Sequence, residues 1–177
     1  MQNPENNPIQ EKKLATMALL VALGVVLHRL EALLPLPSPW IKLGLANIMT
    51  LIALVFLGVR EAFMVTVLRI VLGSFVGGTF LSPTFFLSLM GGLSATWIMA
   101  LLYREGRPFS LVGISIAGAY GHTLAIFMIV YLLFIPQAMF LNLLPVFFFM
   151  ALFFGTLTGL VANTLAQRFA GQRISFK

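Results

Sequence analysis

The chain has 177 residues, of which 60% are hydrophobic and only 9% charged, with a formal net charge of +6. A soluble domain of this length needs roughly a quarter charged residues to face water, so the composition places the chain in a lipid bilayer, as one domain. Cysteine and aspartate are both absent, which excludes disulfides, thiolate metal sites and iron–sulfur clusters. The basic excess reads as a marker of cytoplasmic loops, not of nucleic acid.

Residues 1–13 are polar and are predicted to form a cytoplasmic tail. A six-helix membrane domain over 14–167 and a basic cytoplasmic tail over 168–177 follow. A span needs about 20 mostly apolar residues. The first candidate, Leu14–Leu34, carries Arg29 and Glu31 near its end and has no small-residue cleavage site, so it is not a signal peptide. Pro35, Pro37 and Pro39 end it, because proline lacks an amide donor and restricts its predecessor. Leu43–Leu57 is short for a span, which predicts that protein shields its outer end. The turn Gly58-Val59-Arg60-Glu61 leads to Ala62–Phe80, and Ser82-Pro83 leads to Thr84–Tyr103. Arg104 to Pro108 precedes Ser110–Ile135, and Pro136 to Asn142 precedes Asn142–Gln167. No internal repeat is evident.

Charge placement predicts the orientation. With the N-terminus inside, the cytoplasmic side collects Lys12, Lys13, Arg60, Arg104, Arg107, Arg168, Arg173 and Lys177, against Arg29 and Lys42 outside. This positive-inside bias predicts an all-α integral protein of the cell membrane, with six transmembrane helices and both termini cytoplasmic.

Arg69 falls near the middle of the third span, where an arginine costs at least ~2.5 kcal/mol and so must face protein, water or an anion. Thr66, Gly73 and Gly77 share its face and let other helices approach. Two readings stand: a structural arginine tied to backbone carbonyls or Glu61, or a counter-charge for a ligand. His28, Arg29, Glu31 and Lys42 gather at the outer end beside Trp40, where interfacial solvation competes with ligand contact. His122 shares a face with Ser115, Gly118, Ala119 and Ala125, and Asn47 one with Gly44 and Thr50. Each lines a cavity or simply bonds across a helix contact. Asn163, near Thr156 and Gly159, reads as structural. Gly73-x-x-x-Gly77 and Gly155-x-x-x-Gly159 have the spacing of close helix crossings, and Ala15, Ala18 and Ala22 form a small-residue stripe on the first helix.

The chemical inventory favours binding over catalysis. No Walker A sequence is present, and the missing aspartates leave no magnesium–diphosphate motif. Four of the five glutamates lie in the tail or in cytoplasmic turns, so a paired-carboxylate mechanism lacks partners. Two histidines without supporting features make no haem site. No cofactor and no metal are expected.

Lys42-Leu-Gly-Leu-Ala-Asn47, Leu68-Arg69-x-x-x-Gly73-Ser74, Gly78-Thr79-x-x-Ser82-Pro83 and Ser88-Leu89-x-Gly91-Gly92 together resemble a small membrane family over roughly Leu14 to Gln167. That family is labelled either Gx transporter or heptaprenyl diphosphate synthase component I, and is similar to the substrate-capturing S components of energy-coupling factor (ECF) transporters. The resemblance implies a six-helix fold that binds a ligand from outside and works with a separate transmembrane partner and two ATPases. It also implies that Ala18-x-x-x-Ala22 meets that partner. The expected ligand is a small anion (carboxylate, phosphate or diphosphate), held by Arg69 with Lys42, Asn47, Arg29 and His122. The alternatives are a membrane subunit of a polyprenyl diphosphate synthase system and a scaffold of a membrane electron-transfer assembly.

Overall fold

The computed structural model describes residues 8–33, 44–104, 109–133 and 141–171, all as helices and short turns. The predicted proline turn, Trp40 and Lys42 lie outside the described residues, as do 105–108 and most of the turn before Asn142. Six helices are defined among the described residues: α1 (Pro8–Leu33), α2 (Asn47–Phe56), α3 (Val59–Val76), α4 (Pro83–Arg104), α5 (Leu111–Leu133) and α6 (Leu144–Gly171).

Four of them, α1, α4, α5 and α6, are long and apolar enough to cross a membrane, and the chain is a multi-pass membrane protein. The other two predicted spans differ for physical reasons. Helix α2 has only 10 residues, about 15 Å, and seven of them are buried, Ala53 and Leu54 completely. It packs against α1, α3, α4 and α6, so protein surrounds it where lipid surrounds the longer helices. Helix α3 carries Arg60, Glu61 and Arg69 in 18 residues, and its charge count sets it apart. Helix α1 begins at Pro8, six residues before the predicted Leu14. Proline's fixed φ suits a first helical turn, and Glu11 there complements the helix dipole.

Local chemistry sets the turns. Gly58 has φ +113°, a conformation that side chains strongly disfavour, and this reverses the chain between α2 and α3. Ser82 precedes Pro83 as the cap of α4: its Oγ accepts from the Phe85 N–H at 3.4 Å and donates to the Thr79 carbonyl at 2.6 Å. Ser110 caps α5 in the same way, accepting from the Gly113 N–H at 3.1 Å.

Two contacts run α1 and α3 side by side in parallel. Lys13 pairs with Glu61 near the start of both helices, and at the far end the Arg29 guanidinium lies over Gly77. The main core lies among α1, α2, α3 and α4, with Leu51, Leu54, Val65, Ala95 and Met99 in it, and reaches Ile114 of α5 and Ala162 of α6. A smaller cluster of Leu87, Ile126, Phe127, Val130 and Phe147 holds α4, α5 and α6 together. Outside these cores, Leu19, Leu23, Val26, Leu132, Phe149 and Phe153 are exposed, as a lipid-facing surface requires.

Candidate functional site: a buried arginine and a polar cavity

Arg69 stands ten residues after Val59, about 15 Å along α3, and is only 4% exposed. Its stem lies against Gly24 of α1, where a Cβ would come within 3.1 Å of the Arg69 Cδ. The guanidinium turns to α2: Nη2 donates to Asn47 Oδ1 at 2.7 Å, and Nε donates to Thr50 Oγ1 at 3.3 Å. Glu61, one of the partners expected for it, is instead paired with Lys13 at the helix end. The carboxylate that acts electrostatically on Arg69 is Glu31 of α1. Glu31 is itself only 6% exposed, and its Oε1 accepts the Gly44 N–H at 2.8 Å.

Thr50 begins a chain of hydroxyls across three helices. Its Oγ1 lies 3.0 Å from that of Thr66 on α3, which lies 2.8 Å from that of Thr96 on α4, and Thr96 donates to the Gly92 carbonyl at 2.8 Å. The direction of every bond follows from that last one. A hydroxyl has one hydrogen, so Thr96 can only accept from Thr66, and Thr66 from Thr50; Thr50 accepts from Arg69. The three threonines are completely buried. No buried side-chain nitrogen or oxygen among the described residues lacks a partner, as burial without water requires.

A small cavity of about 20 Å³ opens beside the guanidinium, lined by His28, Glu31, Asn47, Arg69, Ser88 and His122 together with Gly44 and Gly92. That is room for about one water. Glycines seat two of the polar side chains. A Cβ at Gly73 would meet the His28 ring at 2.8 Å, and one at Gly91 would meet His122 Nε2 at 2.8 Å. A second cavity of similar size shares Gly44, Asn47 and His122 and extends between α5 and α6 to Ala119, Thr123, Phe154 and Thr158.

Of the predicted site residues, the fold brings Arg69, Asn47 and His122 to one cavity. Arg29 is half-buried over Gly77, at the C-terminal end of α3, and is not among the lining residues. A cation there complements the helix dipole. Lys42 lies outside the described residues. Ala15, Ala18 and Ala22 are exposed on α1. Glu31 and His28, read from the sequence only as part of an outer group, line the cavity with Ser88. Thr96 carried no sequence signal beyond being a hydroxyl in an apolar run.

The model of the family described as heptaprenyl diphosphate synthase component I matches residues 20–165. The chain belongs to that family. No curated protein matches it. Among solved structures, this family member is similar to one described as the S component of a bacterial ECF transporter. The TM-score is 0.72 at 20% identity, over 92% of this chain and 97% of that one. At that identity the likeness establishes the fold, an S-component-like helical membrane protein.

Proposed function

We propose that the chain is a substrate-binding membrane protein of the S-component kind, which captures a small anionic molecule from the outer side and depends on a separate energising partner. The observation that carries this reading is Arg69: a guanidinium buried midway along α3 of a membrane protein and lining a polar cavity, in a fold similar to an S component. Intramembrane charges of this kind mark ligand or ion pathways. The planar fork of arginine suits carboxylate, phosphate or diphosphate because it pairs two oxygens at once. Asn47 and His122 supply polar contacts in the same cavity, while Arg29 and Lys42 add positive charge towards the outer end. Both termini are cytoplasmic in this reading.

Replacing Arg69 with Leu keeps the fold and weakens ligand binding by about 10- to 100-fold, the loss of one charge-assisted contact. Native mass spectrometry of gently extracted protein reads this as a small molecule carried by the wild type and absent from the variant. Equal occupancy in both would make Arg69 a structural residue.

The exposed stripe of Ala15, Ala18 and Ala22 is the docking face for an ECF-type transmembrane partner with its ATPases. The double substitution Ala18→Leu and Ala22→Leu weakens assembly with that partner while leaving ligand binding intact; co-purification of an undiminished complex would refute this face. The family description raises a second reading, a membrane subunit of a polyprenyl diphosphate synthase. The absence of aspartate from the chain leaves it without the carboxylates that hold magnesium–diphosphate, so transport is the reading adopted.

A further inference from the structure

The cavity does not present a lone positive charge. Glu31 from α1 and Arg69 from α3 both line it, 6% and 4% exposed, and they act on each other electrostatically. Within the lining, Arg69 attracts a simple anion and Glu31 repels it, whatever positive charge Arg29 and Lys42 add outside the cavity. A molecule carrying charges of both signs keeps the balance.

The fold itself displays what the two groups recognise. Against Arg69 it sets an acceptor, the Asn47 amide oxygen at 2.7 Å. Against Glu31 it sets a donor, the Gly44 N–H at 2.8 Å. Acceptor and donor stand only three residues apart, on the turn that opens α2.

Resting on the reading of Arg69 as counter-charge, we propose that the ligand is amphoteric. It presents an acidic oxygen to Arg69 and a nitrogen-bound hydrogen to Glu31. Ser88, His28 and His122 line the same cavity, which at about 20 Å³ admits one water and must widen between these side chains to take such a molecule. A hydroxyl and neutral imidazoles both donate and accept, which suits a polar body between the two ends.

The same chemistry occurs in a soluble zwitterion and in an ethanolamine lipid head group, and matched probes separate the two. The full-length protein in maltoside micelles, free of phosphate and amine, is titrated calorimetrically with inorganic phosphate, ethylamine and O-phosphoethanolamine. A further titration uses phosphatidylethanolamine in mixed micelles. The wild type is expected to bind O-phosphoethanolamine about tenfold more tightly than phosphate, the worth of one added charged hydrogen bond. Glu31→Gln, whose amide oxygen can still accept from Gly44, erases that tenfold difference and retains phosphate binding. Preference for the lipid over the soluble zwitterion upholds the inference and assigns the source to the bilayer.

Equal binding of phosphate and O-phosphoethanolamine by the wild type overturns the inference, with no variant needed. So does a Glu31→Gln protein that keeps the difference. Phosphate binding unchanged in Arg69→Leu would instead overturn the reading on which the inference rests, and the two failures are thereby distinguished.

Discussion

On the α1–α3 side of the molecule, Gly73 and Gly77 face side chains: the His28 ring lies over one and the Arg29 guanidinium over the other. On the α5–α6 side, Gly155 and Gly159 have the same spacing and face backbone. A Cβ at Gly159 would stand 2.7 Å from the Cα of Val112, and one at Gly155 would stand 3.0 Å from the Cα of Ile116. The second pair is a close helix crossing of the kind its spacing suggests. The first seats the His28 ring beside the cavity and the Arg29 guanidinium over the end of α3. Hydroxyls divide in the same way. Thr50, Thr66 and Thr96 join three helices to Arg69, whereas Ser115 and Thr158 make one bond across the α5–α6 contact at 3.0 Å. One half of the molecule is built around a charge, the other around packed backbone.

The largest test of that difference places a side chain into each glycine site. Gly159→Val drives atoms into the α5 backbone, which cannot swing aside, and is expected to cost stability at the top of the ~1–3 kcal/mol range for overpacking. Gly73→Ala meets first the imidazole of His28, a side chain and not backbone, so it should lower the thermal midpoint less than Gly159→Val while altering ligand affinity. Thermal unfolding in detergent, paired with a binding titration, reads both effects. A Gly73→Ala protein that melts early and a Gly159→Val protein that does not would erase the distinction between the two halves.

The same contrast explains what the sequence disclosed. Hydropathy and charge spacing made the six helices and the buried cation at position 69 legible, because lipid imposes its solvent rule on each segment separately. Helix ends were less so: the start of α1 at Pro8 lies in polar sequence that hydropathy does not count. Partnerships were illegible for a different reason. Arg69 meets Asn47 and Thr50, and not Glu61, because α2 is buried beside α3 at a depth that depends on how far each helix is shifted along its axis. No local pattern records that shift. The same holds for Thr96, which reaches Thr66 from 30 residues away, and for the two glycine pairs, whose identical spacing hides different neighbours.

The hydroxyls offer a finer test with smaller effects. Thr66→Val preserves shape and removes the central link of a one-way chain. Thr50 then loses its acceptor and must turn back to a carbonyl of its own helix while still accepting from Arg69, and Thr96 keeps an oxygen with no donor, both deep in the core. An unsatisfied buried group costs ~1–3 kcal/mol, while hydrogen bonds between membrane helices average about 0.6 kcal/mol. Two interhelical links lost by one substitution place the expected loss at about 1–2 kcal/mol. Thr158→Val, by comparison, strands only Ser115. A serine hydroxyl in a helix can turn back to its own preceding carbonyls, as Thr158 does to Phe154 and Gly155, so the expected loss is near 0.6 kcal/mol. If the chain acts as a unit, the double variant Thr66→Val with Thr96→Val loses less than the sum of the singles, because the first substitution has already broken the link that the second removes. Strict additivity would mean that Thr66 and Thr96 contribute independently and that the chain does not act as a unit.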